Sequence, residues 1–211
     1  MSLVAGILQE IFACEGVVFG GFVRDHLVPY LDNNLHFRTI PLFEKEITDI
    51  DVWIQGELPS KLVKSLKEKG FQVEDNFLSS RHTNDSEKWQ SEPYKYRGVY
   101  DISFGGKTVK IDIIPSEHFP VNDSVCNCLS YDGEEIKANP LYDWEFKTIL
   151  KNPDVHKVIE LINKKIFLYS HVWSRENPDW MSPKARLEYF ESKGWHNISD
   201  EVIDFTEDGT D

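Results

Sequence analysis

Cysteine is scarce in this chain of 211 residues: Cys14, Cys126 and Cys128 are an odd number with no scaffold-like spacing. A disulfide framework is therefore excluded as the source of stability. None is required, since a chain of this length buries roughly 70% of its unfolded surface. Long apolar runs are also missing. The stretch from Leu3 to Phe12 is interrupted by Gln9 and Glu10, and nothing approaches the roughly 18 apolar residues that span a bilayer. The opening Met1-Ser2-Leu3-Val4 lacks the charged start of a secretory signal. These features predict a reducing, cytoplasmic setting without membrane association. Positive charge is short as well: 23 Lys and Arg face 36 Asp and Glu, for a formal net charge of −13. That balance excludes tight non-specific grip on nucleic acid, which rests on many Lys/Arg–phosphate contacts. A local basic site or a divalent-cation site stays compatible with it.

What is present is an apolar fraction of 40%, with thirteen Phe and six Trp, enough for a packed core and too much for a disordered chain. Leu3, Ile7, Leu8, Ile11 and Phe12 recur at helical spacing, so residues 2–14 are expected to form an amphipathic helix ended by Gly16. Val17-Val18-Phe19 follows as a short buried strand, then Gly20-Gly21, then a helical pattern over 22–31. Residues 32–48 read as an irregular insertion. Thr48 to Ile54 alternates in period two, with Asp49, Asp51 and Trp53 on one face. A helix is expected over 59–69, a strand over 71–77 and an exposed loop over 79–93. Runs 94–104 and 107–114, joined by Gly105-Gly106, predict a β-hairpin with Val109, Ile111 and Ile113 on one face and Lys110 and Asp112 on the other. Residues 125–131 read as extended, with Cys126 and Cys128 on one side of the strand. Helices are expected over 153–164 and 183–193, and an acidic tail follows. Trp173, Trp180 and Trp195 are expected to fill a small second core.

Two patterns carry chemistry. Asp49, Asp51 and Asp112 each lie in a strand between aliphatic neighbours, so alternation turns all three carboxylates away from the core. Adjacent strands would bring like charges together, which favours a bound cation. Hard ions such as Mg²⁺ take oxygen ligands, and two of them about 4 Å apart serve phosphoryl or nucleotidyl transfer. An ordinary solvated strand face accounts for the same residues. Gly20-Gly21-Phe22-Val23-Arg24-Asp25 is the second pattern. A glycine pair ahead of a helix lets backbone N–H groups approach an anion, and Arg24 offers a bidentate phosphate contact. A structural turn with Arg24 and Asp25 paired to each other is the alternative. Cys126-x-Cys128 with His118 lacks the fourth ligand and the spacing of a zinc site.

In order, Gly-Gly-x-Val-Arg-Asp, Asp-x-Asp on a strand and a later lone Asp resemble the head domain of the nucleotidyltransferase superfamily. The variant they are most similar to is that of class II CCA-adding enzymes and bacterial poly(A) polymerases. Those proteins carry Arg-Asp-Phe-Thr-x-Asn-Ala-Leu after the third Asp. Here Asn122-Asp123-Ser124-Val125-Cys126-Asn127-Cys128-Leu129 occupies that place, matching at Asp123, Asn127 and Leu129. The resemblance implies an α+β, polymerase-β-like mixed sheet flanked by helices over 1–150, with a small helical, neck-like extension and acidic tail over 151–211. It implies that Asp49, Asp51 and Asp112 hold Mg²⁺ or Mn²⁺, with Asp112 acting on the acceptor hydroxyl. Gly20, Gly21 and Arg24 would take the triphosphate of an NTP, with Asp123 and Asn127 at the nucleotide.

The sequence departs from that pattern in places. Asn122 and Ser124 stand where the family has Arg and Phe, and 32–48 lengthens the gap before Asp49. The Glu-Asp-x-x-Arg signature that selects CTP and ATP is not recognisable, and the tRNA-gripping domains have no counterpart here. Lys184, Arg186 and Lys193 form one of the few basic groups. The expected activity is transfer of an NMP to a hydroxyl of RNA, a small molecule or a protein, with room for a partner protein that supplies acceptor binding. The alternative is a catalytically inactive nucleotide sensor or scaffold of the same fold.

Overall fold

Gly105 and Gly106 take φ of +60° and +78°, the two left-handed conformations of a tight hairpin turn, and set the register of the central hairpin. In this computed structural model the described residues are 2–37, 47, 49–55, 59–76, 98–117, 119, 124–139, 141–143, 148–150, 154–167 and 183–197. The hairpin pairs β4 (Gly98–Phe104) with β5 (Lys107–Pro115). On its outer side β4 pairs with β3 (Gln72–Asp75). On its inner side β5 lies parallel to β2 (Asp49–Ile54), and β2 is antiparallel to β1 (Val17–Phe19). β6 (Leu129–Tyr131) and β7 (Ile136–Ala138) complete a seven-stranded mixed sheet, in the order β3-β4-β5-β2-β1-β6-β7. The fold is α+β, and β2 and β5 are its central pair.

One face of that sheet is the core. Val18, Ile50, Val52, Val109, Ile111 and Ile113 are buried there, as the period-two pattern predicts. Helix α1 (Leu3–Ala13) covers it with Leu3, Ile7, Leu8 and Ile11, and α2 (Pro59–Glu68) adds Leu62 and Leu66. Ser2 caps α1 by accepting from the Ala5 amide at 3.2 Å. The buried Glu10 ties the two helices together, accepting from Ser65 Oγ at 2.5 Å with Lys69 Nζ 3.9 Å away. Truncating any of the core aliphatics is worth about 2–5 kcal/mol.

The stretch over 22–31 is helical but not one α-helix. A π-helical turn, Val23–Leu27, runs into a 3₁₀ turn, Val28–Tyr30, because Pro29 has no N–H to continue the ladder. Residues 125–131 correct a second expectation. Only 129–131 is strand, while Val125–Asn127 is a 3₁₀ turn in which Asn127 N donates to Ser124 O at 3.1 Å and Cys128 N to Val125 O at 3.1 Å. Cys126 and Cys128 therefore do not share a strand face; both are buried free thiols. Two short pairings escaped the sequence reading: β8 (Leu141–Asp143) with β9 (Thr148–Leu150), and β10 (Ile166–Phe167) with β11 (His196–Asn197).

The C-terminal elements α3 (Val155–Asn163) and α4 (Pro183–Ser192) fall inside the expected spans. Val158 and Ile162 of α3, Phe167 of β10 and Phe190 of α4 join the same buried cluster as the sheet, so their core is continuous with the main one. Phe167 and Phe190 stack at 4.9 Å, and Trp195 meets Phe190 edge-on at 5.6 Å. Trp173, Trp180, the whole of the expected 79–93 loop, most of the 32–48 insertion and the acidic tail lie outside the described residues. Among the described residues no helix is long and apolar enough to cross a membrane.

Candidate functional site

Opposite the core, the same alternation turns Asp49, Asp51 and Trp53 of β2 and Lys110, Asp112 and Ile114 of β5 to the second face of the sheet. The parallel register then fixes their neighbours: Asp49 lies beside Lys110, Asp51 beside Asp112, and Trp53 beside Ile114. Strands in a sheet are about 4.8 Å apart, so two carboxylates stand side by side at the centre of the molecule. Asp112 is only 5% exposed. Like charges in such a pair destabilise the sheet unless a cation offsets them.

The third carboxylate is not grouped with that pair. Asp49 faces Lys110, whose Nζ is 3.5 Å from Asp49 Oδ1, with both side chains 46% exposed. Among the described residues, no three His, Cys, Asp or Glu side chains gather into a metal-binding group. Two carboxylates nonetheless suit Mg²⁺ or Mn²⁺, which typically take one or two from protein and complete their shell with water and substrate phosphates. The donor set of Asp51 and Asp112, all oxygen and anionic, fits such an ion.

Across β2 on the other side, Phe19 of β1 pairs with Asp51, and the chain turns directly into Gly20. Gly20 has φ of +71°, and a Cβ there would lie 3.2 Å from Asp51 Oδ2. A side chain at this position is thus opposed both by backbone conformation and by the Asp51 carboxylate. Its amide donates to Leu129 O and its carbonyl accepts from Arg24 N, each at 3.1 Å, which locks the turn beside Asp51. Gly21 is less constrained: a Cβ would make ordinary contact with Arg24 Nη2 at 3.5 Å.

Arg24 is buried, 8% exposed, and its donors go to two partners. Nε and Nη2 donate to the Asp25 carboxylate at 2.7 and 2.5 Å, and Nη1 donates to Asn127 Oδ1. Burial by itself would lower the pKa of this guanidinium. The hydrogen bond and charge of Asp25, with Cys126 adjacent, more than offset it, and the group is held firmly cationic. Its Cζ also lies 5.2 Å from the Phe190 ring centre and 5.4 Å from that of Trp195. The pairing of Arg24 with Asp25 is the structural alternative weighed from sequence. The contact with Asn127 joins two residues to which the family resemblance gives a nucleotide-binding role. Asn127 is buried in its 3₁₀ turn; Asp123 lies outside the described residues.

Three features have no signal in the sequence. Phe119 bridges Phe19 at 5.2 Å and Trp53 at 5.3 Å, forming an aromatic cover beside the carboxylate pair. Trp53 Nε1 donates to Ser116 O at 3.1 Å, which fixes the indole. Asn139, through its amide at 2.8 Å and its side chain at 2.7 Å, saturates Cys128 O and braces the segment bearing Asn127. The third is the ring pair Phe190 and Trp195 over Arg24. Lys193, from the basic group noted in the sequence, has its Nζ 5.8 Å from the Tyr189 ring centre.

No protein-family model matches this chain, and no curated protein matches it in sequence. The geometry of Asp51, Asp112, Gly20 and Arg24 therefore carries the functional argument by itself.

Proposed function

We propose that the chain is a metal-dependent nucleotidyltransferase that moves an NMP from an NTP to an acceptor hydroxyl and releases pyrophosphate. The observation that carries this reading is the in-register Asp51–Asp112 pair, with the left-handed Gly20 turn against it. Anionic oxygen donors on central strands, next to a turn that admits close backbone approach, are what a phosphate–cation substrate requires. A bound divalent ion would neutralise phosphate charge and polarise the reacting centre there.

The chain's own groups have separate tasks in this reading. Asp51 and Asp112 hold the cation, and Asp49 is available to it once it leaves the solvent-exposed contact with Lys110. Gly20 and Gly21 leave room for the triphosphate beside Asp51. Arg24 and Asn127 stabilise the wall of the site. Asp112, the more buried carboxylate, orients the acceptor hydroxyl. The acceptor oxygen forms a bond to the α-phosphorus, the α–β bridging oxygen departs with pyrophosphate, and the hydroxyl proton leaves to solvent or carboxylate. Positioning and charge neutralisation supply most of the rate.

The net charge of −13 weighs against a long RNA track on this chain. The acceptor is an RNA end, a small molecule or a protein, with a partner supplying further contacts where the acceptor is RNA. A second reading, a nucleotide-binding sensor or scaffold, draws support from Arg24, whose donors engage Asp25 and Asn127.

The test is incubation with α-phosphate-labelled NTPs, Mn²⁺ or Mg²⁺, and pools of RNA, metabolites and proteins. Label transfer by the wild type, lost by at least about a hundredfold in Asp51→Ala, is the expected result. Transfer that survives Asp51→Ala defeats the proposal. Nucleotide binding without transfer, unaltered by the substitution, supports the sensor reading instead.

A further inference from the structure

Arg24 is where the C-terminal elements touch the glycine turn. Its backbone amide donates to Gly20 O, its side-chain donors are bonded to Asp25 and Asn127, and its Cζ lies over two aromatic rings. Those rings are Phe190 of α4 and Trp195 just beyond it. Phe190 has a packing role of its own, stacked on Phe167 inside the core. Trp195 is only half-buried, and its ring contacts are Phe190 at 5.6 Å and the guanidinium at 5.4 Å. A guanidinium whose edge is already hydrogen-bonded has its flat faces free for an indole, and the attraction is greatest where water is excluded.

We propose that Trp195 is a positioning residue for the nucleotide site. By covering Arg24 it holds one residue in a single orientation, and that residue ties the two turns together, its side chain donating to Asn127 Oδ1 and its backbone amide to Gly20 O. The turn that receives the triphosphate and the turn that carries Asn127 are thereby set by the C-terminal segment 183–197. The proposal rests on the nucleotidyltransferase reading of Gly20, Gly21 and Asn127, and it adds a remote determinant of triphosphate affinity.

The test uses the full chain with Trp195→Leu, Trp195→Phe and Arg24→Lys, the last of which leaves Trp195 packed on Phe190. ATP–Mg²⁺ affinity is measured by calorimetry, and amide hydrogen exchange is followed over 20–27 and 124–128. Trp195→Leu should weaken ATP roughly tenfold and speed exchange in those two segments while β2 and β5 stay protected. Trp195→Phe should restore both, and Arg24→Lys should reproduce the loss. Wild-type exchange and affinity in either Trp195→Leu or Arg24→Lys overturn the proposal. Faster exchange in a protein whose wild type binds no triphosphate overturns the nucleotide reading together with it, whereas wild-type binding that is indifferent to Trp195 defeats this proposal alone.

Discussion

On one side of Gly20 a buried cation is matched on every front: Arg24 is bonded to Asp25 and Asn127 and lies against Phe190 and Trp195. On the other side Asp51 and Asp112 stand beside each other with the same charge, on the middle strand of the sheet, β2, and its neighbour β5. The first arrangement is what folding stability alone would select, since a buried charge is tolerated when paired and hydrogen-bonded. The second works against stability. A sheet optimised for stability would carry a mixed or opposite pair at that position, as it does one step along at Asp49 and Lys110. Local conflict of this kind is what a bound cation offsets in the proposed reading of the site.

Substitutions can break the contrast. The largest effect is expected at the satisfied cluster. Arg24→Met keeps the volume and removes the charge, breaking the bond to Asn127 Oδ1 and leaving the two rings over an apolar chain. The loss should be about 3 kcal/mol in urea unfolding, with an unchanged m-value. A cost below about 1 kcal/mol would mean that the Arg24 cluster is not a stability element.

A smaller effect sharpens the comparison from outside both clusters. Asp132, in the turn between β6 and β7, accepts from the Glu134 and Glu135 amides at 2.9 and 3.0 Å and from Lys137 Nζ at 2.8 Å. Partial burial alone would raise its pKa, but Lys137 and the two amides outweigh that and hold it at about 2. The folded value lies below the ordinary carboxylate range, so the carboxylate stabilises the fold above about pH 4, and this contribution is lost as pH falls through about 2. After allowance for solvent screening, Asp132→Asn should cost about 1 kcal/mol at neutral pH, shrinking toward nothing near pH 2. Chemical unfolding of both proteins across that range checks it; a cost that does not depend on pH would assign the effect to the turn rather than the charge.

Much of the scaffold was legible because its signals are local. Alternation over 49–54 and 107–114 assigned the carboxylates and the aliphatics to their faces, and Gly105-Gly106 fixed the hairpin. The pairing of Asp51 with Asp112 was not legible in the same way. It depends on a parallel register between strands separated by α2, β3 and β4, and no residue near either Asp encodes it. Resemblance suggested that they converge; backbone pairing shows which two do, and that Asp49 is turned to Lys110 instead. Residues 125–131 misled because apolar residues in a short run read equally as strand or turn, and here Val125–Asn127 close a 3₁₀ turn through backbone hydrogen bonds. The rings over Arg24 come from far along the chain, in a helix whose pattern indicated only that it packs somewhere.

The central claim is that the Asp51–Asp112 pair is a cation site, and thermal unfolding of the wild type and Asp112→Asn, in chelator and in Mn²⁺, tests it most directly. In chelator the variant should be at least as stable as the wild type, gaining up to about 1 kcal/mol from the removed repulsion. With Mn²⁺ the wild type should melt several degrees higher, through binding to the folded state alone, and the variant should not respond. A variant that is less stable in chelator, beside a wild type whose melting is indifferent to millimolar Mn²⁺, would contradict the account.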